Sequence, residues 1–119
     1  MGYKDLEIWK IANELVMNIH EMTINDLPKF EMFEEGSQIR RSVKSIKSNI
    51  VEGYAKKSTK EYLRFLDIAI GSATETEVHL DIAQELGYIN ESNFGTINDL
   101  LSEVKKLLYT YVKSLRAKS

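Results

Sequence analysis

The sequence predicts an all-α protein, an antiparallel up-down-up-down four-helix bundle that forms a single domain over residues 1–119. Apolar residues recur at intervals of three and four in four successive segments, which is the spacing of one face of an α-helix. No stretch of strand length alternates between apolar and polar residues. The breaks between the segments are short, and short connections place consecutive helices side by side and antiparallel.

The first helix is predicted over about residues 5–23. Its apolar face is formed by Ile8, Trp9, Ala12, Leu15, Val16, Ile19 and Met22. Asp5 is expected to cap the N-terminus, because a short carboxylate side chain accepts a hydrogen bond from the free amides of the first turn. A turn-prone run that ends at Pro28 stops the helix, since proline can open a helix but cannot continue one.

The second helix is predicted over about residues 29–55. It has a narrow apolar stripe made of Ile39, Val43, Ile46 and Ile50. Gly36 is expected to loosen or kink it, because glycine costs about 1 kcal/mol relative to alanine in a helix interior.

The polar residues of the second helix fall into separate strips. One flank of the stripe has Arg40, Lys44 and Lys47, and the other has Gln38, Ser42 and Asn49. Roughly opposite the stripe are Arg41, Ser48 and Glu52. A helix in a simple bundle needs only one apolar face with any polar residues behind it. We therefore expect this helix to contact something besides its own core.

The third helix is predicted over about residues 58–87. Ser58 and Glu61 form a capping box at its start, and Gly87 supplies the C-terminal stop. Its apolar face is formed by Tyr62, Leu66, Ala69, Ala73, Thr76, Leu80 and Ala83. The adjacent small residues Gly71 and Ser72 are expected to allow another helix to approach closely.

The fourth helix is predicted over about residues 90–117, with Asn90 as its cap. Its apolar residues keep a strict 3-4 repeat, which is typical of a packing seam. They are Phe94, Ile97, Leu101, Val104, Leu108, Tyr111 and Leu115.

Composition excludes several classes of function. The sequence has no cysteine, which excludes disulfides, thiolate chemistry and cysteine-based zinc sites. Its two histidines, His20 and His79, have no metal-binding spacing. Glu75 and Glu77 point in different directions on a helix and cannot act as one carboxylate pair. We therefore predict no catalytic residues, no metal, no cofactor and no enzymatic activity.

The sequence also lacks an apolar run long enough for a membrane span or a signal peptide. We therefore expect a cytoplasmic protein with no membrane association.

Charge is sorted along the chain. Residues 40–64 and 104–119 carry net charges of +6 and +5, whereas residues 1–39 and 65–103 carry −5 and −8. An up-down bundle would collect most of the cations at one pole, namely Lys47, Lys56, Lys57, Lys60, Arg64, Lys113, Arg116 and Lys118. Such a pole could bind phosphates, with Tyr54 and Tyr62 as base-stacking residues. The alternative is a solvated helix end at which cations balance the helix dipoles.

From the strips and the pole we take two groups of candidate site residues. The candidates for nucleic-acid binding are Arg40, Arg41, Lys44, Lys47, Lys56, Lys57, Lys60 and Arg64. The candidates for polar interface or structural roles are Gln38, Asn49, Glu52, Glu75 and Glu77.

The predicted hairpin of the second and third helices also fixes a register. Residues at the same height should have numbers that add to about 115, because the chain turns near Lys57. Arg40 is then level with Glu75. Gln38 is level with Glu77. We expect the two glutamates to neutralise Arg40 or its neighbour Arg41, within a subunit or between subunits.

A set of motifs extends over nearly the whole chain. It comprises Leu6…Trp9…Ala12, Pro28…Glu31, QIRRS at 38–42, Ser45-Ile46, NIVEG at 49–53, AIGSA at 69–73, Glu75, Glu77 and LGYI at 86–89. These motifs resemble the S23 ribosomal protein family, the four-helix bundle proteins encoded in intervening sequences of bacterial 23S rRNA genes. Two positions depart from the family pattern: Glu34-Glu35 replaces the usual Gly-Leu, and Thr76 replaces a residue that is commonly apolar.

The resemblance implies a small bundle that assembles as a homopentameric ring. The accessory proteins of diversity-generating retroelements look related, and they form a basic barrel that binds nucleic acid and a reverse transcriptase. The resemblance points to Arg40, Arg41, Asn49 and Glu52 as the positions to test.

Two functional hypotheses follow. The first is a non-enzymatic, oligomeric accessory protein that binds RNA or DNA. The second is a protein-interaction module whose polar strips contact other subunits or a protein partner, with no nucleic-acid ligand.

Overall fold

The protein is an all-α bundle in a computed structural model that describes residues 1–118, as the sequence predicts. Its helices are α1 (Glu7–Asn25), α2 (Glu35–Tyr54), α3 (Thr59–Glu85) and α4 (Glu91–Lys118). Two short 3₁₀ helices, Tyr3–Asp5 and Lys29–Glu31, precede α1 and α2. The described residues contain no strand, and Ser119, the last residue of the predicted domain, lies outside them.

Each helix packs against its neighbours in the order α1, α2, α3, α4 and back to α1, which gives a rod 46 Å long and about 23 Å across. The predicted apolar faces meet along its axis. The α2 stripe of Ile39, Val43, Ile46 and Ile50 is at most 1% exposed. Burial of these faces is the main force that holds the four helices together.

Three helix ends form as the sequence predicts. The Ser58 hydroxyl accepts a hydrogen bond from the Glu61 amide at 3.1 Å, and the Asn90 side-chain oxygen accepts one from the Asn93 amide at 2.8 Å. The Glu61 side chain forms no return bond among residues 1–118, so Ser58 caps α3 without the full capping box. Gly87 follows α3 with a φ of +73°, a left-handed conformation that glycine adopts without strain. These ends fix the lengths of α3 and α4.

The N-terminus of α1 differs from the prediction. Asp5 does not cap this helix, because it lies in the preceding 3₁₀ helix and its carboxylate accepts a hydrogen bond from the Gly2 amide at 3.0 Å. Leu6 occupies the N-cap position, so α1 begins at Glu7 rather than near residue 5. The carboxylate thus folds the first residues back towards α1.

The start predicted for the second helix, near residue 29, is also wrong. A 3₁₀ helix and a turn occupy residues 29–34, and α2 begins at Glu35. The Arg40 guanidinium reaches back from α2 and donates to the Met32 carbonyl oxygen at 2.9 Å. The bond supplies a donor to the Met32 carbonyl oxygen, which lies outside the α-helices. It also holds the turn against the start of α2.

The sequence indicates close packing at Gly71, but the structure has it at Gly53 and Gly36. A Cβ on Gly53 would lie 2.8 Å from Cδ1 of Tyr62, so α2 and α3 approach each other closely there. Gly36 lies in the first turn of α2, where a Cβ would lie 2.9 Å from Nη1 of Arg40. Gly71 is exposed, and a Cβ there would have no atom of the described chain within 4 Å. A glycine in the middle of a helix costs about 1 kcal/mol of stability relative to alanine. Packing within the described bundle does not explain this glycine in α3.

Candidate nucleic-acid interface

A basic groove lies between the N-terminal 3₁₀ helix, α1 and α2. It is lined by Tyr3, Lys4, Trp9, Asn13, Lys44, Lys47, Ser48, Val51 and Glu52. The groove forms because α1 begins at the end of the bundle where α2 finishes, and because Tyr3 packs edge-on against Trp9 with ring centroids 5.7 Å apart. It therefore brings three lysines and two aromatic rings together around one carboxylate.

The three lysines of the groove are held differently. The Lys47 ammonium donates to the Asn13 side-chain oxygen at 2.7 Å and lies 5.2 Å from the centroid of the Trp9 ring. Lys4 and Lys44 are exposed and form no hydrogen bond or ion pair with any residue of the 1–118 range. Lys47 is thus a fixed charge on the wall of the groove, whereas the other two extend into solvent.

Arg40 has a different environment from its predicted neighbours. Its Nη1 donates to the Thr23 hydroxyl at 2.8 Å, and its Nη2 donates to the Met32 carbonyl at 2.9 Å. Thr23 is fully buried and in turn donates to the His20 carbonyl at 2.8 Å. The guanidinium therefore joins the end of α1 to α2 and the turn between them, and it does not belong to the groove.

The α3 glutamates do not neutralise Arg40 within the described chain, whereas their pairing with another subunit stays a prediction. Glu77 accepts a hydrogen bond from the Lys105 ammonium of α4 at 3.0 Å. Glu75 lies 3.8 Å from Nε2 of His79, whose Nδ1 is 2.5 Å from Oε1 of Glu35. The glutamates therefore pair across α3–α4 or within α3, because Arg40 points towards α1 instead of α3.

The predicted register of α2 and α3 is nevertheless close to the one observed. Thr76 donates to the Ser42 hydroxyl at 2.9 Å, and the hydroxyls of Ser45 and Ser72 are 2.7 Å apart. The residue numbers in these pairs add to 118 and 117, against a predicted value of about 115. The family departure at Thr76 is accommodated because its hydroxyl hydrogen has two acceptors within reach, the Ser42 hydroxyl and the Ser72 carbonyl oxygen, the latter at 2.8 Å.

The other polar candidates on α2 remain on its surface or bond within their own helix. Asn49 donates to the Ser45 carbonyl at 2.8 Å, within its own helix. Gln38 is exposed, and the Glu52 side chain is 61% exposed with Lys56 at 3.8 Å. Arg41 is exposed and has no ion pair or hydrogen bond among residues 1–118.

The chain matches the 23S rRNA-intervening sequence protein family over residues 4–110, a range that covers α1 to α3, most of α4 and every lysine of the groove. It belongs to this family. A solved structure from Bacteroides thetaiotaomicron, a protein of unknown function from the S23 ribosomal protein family, is similar with a TM-score of 0.80 and 28% sequence identity. The similarity covers 89% of this chain and 98% of that one. No curated protein matches the chain.

The basic pole forms as predicted from the topology. Arg116 near the end of α4 lies 3.9 Å from Asp67 in the first third of α3, which places these two ends together. Lys56 and Arg64 both lie over the ring of Phe65, at 5.2 and 5.1 Å from its centroid. Four further cations at these helix ends are exposed, namely Lys57, Lys60, Lys113 and Lys118.

The stacking role predicted for Tyr62 is wrong. Its ring packs edge-on against Tyr111, and its phenol oxygen is buried with no hydrogen-bond partner in the described part of the chain. Burial raises the pKa of this phenol well above its usual range. Tyr54 packs edge-on against the ring of Tyr62, so Tyr54 and Tyr62 both belong to an aromatic cluster at the pole.

The sequence analysis did not identify the part of the groove that is formed by the N-terminal 3₁₀ helix and α1. Tyr3, Lys4 and Asn13 received no role, and Trp9 was assigned only to the core. Two signals were available: a tryptophan at the edge of its apolar stripe, and a lysine beside a tyrosine just before the helix. The contact itself depends on the 3₁₀ turn, whose direction the local pattern does not specify.

Two classes of site are absent from the described residues of this family member. Residues 1–118 contain no group of three or more acidic, histidine or cysteine side chains that could hold a metal ion. No helix in that range is long and apolar enough to cross a membrane.

Proposed function

We propose that this chain is a non-enzymatic, self-associating protein that binds RNA or DNA through the basic groove. The observation that carries the proposal is the groove itself, where Lys4 and Lys44 extend into solvent beside the fixed ammonium of Lys47. Lysines that contact phosphates release counterions, which favours binding to any nucleic-acid backbone. The family description refers to 23S rRNA, so structured RNA is the first ligand to test.

The groove is a weak site when taken alone. Three lysines and one carboxylate give it a small net charge, and its edge-on aromatic pair offers limited stacking surface. Self-association would repeat the groove several times in one particle and multiply its affinity for a long ligand. The resemblance to ring-forming proteins implies five copies, a number that light scattering measures directly.

The test is a titration of the protein with structured RNA at several salt concentrations. We expect affinity to fall as salt rises, because each phosphate contact releases counterions. The double variant K4E/K44E should bind about tenfold more weakly or worse, and its salt dependence should be shallower.

The matched control is K29E/K106E, which makes the same change in net charge at two exposed lysines away from the groove. This control should retain most of the affinity. Absence of binding at low salt, binding that ignores salt, or equal losses in the two variants would each contradict the proposal.

A second candidate function, a protein-interaction module without a nucleic-acid ligand, is favoured by a different surface. Phe30 and Phe33 are 72% and 80% exposed on the turn before α2. The bond from Arg40 to Met32 holds that turn, so the exposed rings are presented on a fixed backbone. Under this function, charge reversal at Lys44 or in the rest of the groove would leave activity intact.

A further inference from the structure

The turn between α1 and α2 presents two phenylalanine rings to solvent. Phe30 and Phe33 are 72% and 80% exposed, although both belong to a well-ordered part of the fold. Water around an exposed ring is unfavourable, and contiguous apolar surface on a folded protein commonly marks contact with another molecule.

The backbone of this turn is fixed by hydrogen bonds. The Glu31 and Glu34 amides donate to the carbonyl oxygens of Pro28 and Glu31 at 2.9 and 3.2 Å. The Arg40 guanidinium donates to the Met32 carbonyl oxygen at 2.9 Å, which ties the turn to α2. The rings therefore leave a defined backbone, and a partner would not lose affinity by having to order the turn.

The same turn lies along the C-terminal end of α3. Phe30 packs edge-on against Tyr88, just beyond α3, with ring centroids 6.3 Å apart. At the other end of the turn, Oε1 of Glu35 is 2.5 Å from Nδ1 of His79 in α3. Phe33 comes between these two contacts in the chain, so the stretch of α3 from residue 79 onwards borders the turn.

Apolar side chains of α3 extend the exposed surface of the turn. His79, Ile82 and Leu86 follow one another at spacings of three and four and therefore share one face of α3. Leu86 is 55% exposed and Ile82 is half-buried. Together with Phe30 and Phe33, Ile82 and Leu86 form a surface that we call the aromatic patch.

The surroundings of the aromatic patch are acidic. Glu31 and Glu34 are sequence neighbours of the two rings, and Glu75 lies on the same face of α3 with its side chain 55% exposed. The turn has one cation, Lys29, and residues 65–103 contain no lysine or arginine. The surface is therefore apolar at its centre and negative at its rim.

Charge decides which kind of molecule fits this surface. Its carboxylates would repel the phosphates of a nucleic acid or of an anionic membrane. The same surface of a second copy would bring like charges together. A polypeptide with lysine or arginine beside apolar side chains matches both parts, because its cations pair with the carboxylates and its apolar atoms cover the rings.

We propose that the aromatic patch binds a basic amphipathic helix of a partner protein. Glu75 and Leu86 are eleven residues apart, or about 16 Å along α3, which matches three turns of a helix laid beside it. The apolar side of the partner helix covers Phe30, Phe33 and Leu86. Its lysine or arginine side chains extend towards the carboxylates of the rim.

This site is separate from the basic groove. The groove lies at the end of the rod where α1 begins, whereas the aromatic patch lies at the end where α1 finishes. One protein can therefore hold a nucleic acid and a basic partner at opposite ends. The inference goes beyond the proposed nucleic-acid function and does not depend on it.

The probe is a synthetic peptide of lysine and leucine, about 18 residues long, whose leucines recur at helical spacing. Isothermal titration calorimetry should show one peptide bound per chain, with affinity that falls as salt rises. A peptide of the same composition in which the two residues alternate suits a strand and should bind about tenfold more weakly or worse.

The decisive variant is F30S/F33S, which removes both rings at exposed positions and should weaken peptide binding about tenfold or more. The matched control is M17S/Y109S, since Met17 and Tyr109 are exposed apolar residues outside the patch. This control should bind like the wild type. Circular dichroism establishes that all of these proteins keep their helices.

A second pair of variants tests the acidic rim. E34Q/E75Q should weaken peptide binding and make it less sensitive to salt. D99N/E103Q removes the same charge at exposed positions of α4 and should have a smaller effect. Equal losses in the two double variants would show non-specific attraction to an acidic protein and would overturn the proposal.

The remaining outcomes separate the aromatic patch from other surfaces. A wild-type protein that does not bind the helical peptide, or equal binding by F30S/F33S and M17S/Y109S, would overturn the proposal. So would a changed light-scattering mass of F30S/F33S, which would mean a contact between copies, or a loss of its RNA affinity. The groove variant K4E/K44E should bind the peptide like the wild type, so absence of RNA binding would overturn the proposed function alone.

Discussion

At the level of single residues, the adjacent arginines of α2 have different roles. Arg40 makes two hydrogen bonds, to the Thr23 hydroxyl and to the Met32 carbonyl, and so belongs to the fold. Arg41, one position later, is exposed and forms no such bond among residues 1–118. One residue is a rotation of about 100° on a helix, which is enough to turn one side chain towards α1 and the other towards solvent.

Tyr62 supports a prediction about alkaline stability. Burial raises the pKa of its phenol above the ordinary value of 10.0, so the folded state favours the protonated form. This contribution is complete below pH 10 and is lost as the pH rises above that value, because the unfolded chain then gives up its proton first. Tyr62→Phe should remove that part of the alkaline loss, which is measured by urea unfolding between pH 8 and about pH 11.

At neutral pH the same substitution should be neutral or stabilising by up to about 1 kcal/mol, because the buried hydroxyl has no partner within residues 1–118. Tyr109→Phe is the control, since Tyr109 is 55% exposed. If Tyr62→Phe and Tyr109→Phe showed the same pH profile, the buried phenol would not be the source of the effect.

At the level of helices, α2 and α3 form the closest pair in the bundle. Their inner faces join through hydroxyl pairs, including the Ser42–Thr76 bond at 2.9 Å. Gly53 then lets the end of α2 approach the start of α3. The separation between α2 and α3 is thus set by small side chains and one glycine as well as by the apolar stripe of α2.

Gly53→Ala should destabilise the protein by about 1–3 kcal/mol, because the added methyl would lie 2.8 Å from the Tyr62 ring. The measurement is the midpoint of urea unfolding. Gly95→Ala is a matched control on α4, where the described chain leaves a Cβ in open space. This control should stabilise by about 0.5–1 kcal/mol, and equal effects of the two alanines would contradict the packing argument.

At the level of the whole molecule, sequence order and chain topology separate the charges. Residues 40–64 and 104–119 are basic, and the antiparallel arrangement brings the end of α4 to the start of α3. The groove lies beside this pole because α1 starts at the same end.

Arg40 joins three parts of this architecture, so its replacement should affect the whole fold. Arg40→Gln leaves the Met32 carbonyl and the Thr23 hydroxyl without their donors, which should cost about 1–3 kcal/mol of unfolding free energy. Lys106→Gln, an exposed position on α4, should change it by less than about 0.5 kcal/mol. Urea unfolding compares the two, and a loss at Arg40 no larger than at Lys106 would show that the tether is dispensable.

The sequence by itself determined the four helices, three of their ends and most of the core. These features depend on local physics: the 3.6-residue period selects the buried face, and caps such as Ser58 satisfy free amides within one turn of their own position. The register of α2 and α3 was also within reach, because a short loop leaves little freedom in how two helices align.

Only the tertiary structure decided which polar residues serve the fold and which face solvent. The N-terminal turn that builds the groove and the choice of Gly53 over Gly71 for close packing were likewise decided there. Arg40 and Lys44 lie on the same flank of a helical projection, yet only Arg40 finds acceptors on α1 and on the turn before α2. A helical period fixes the direction in which a side chain leaves its helix, whereas its partner depends on chain that is distant in sequence.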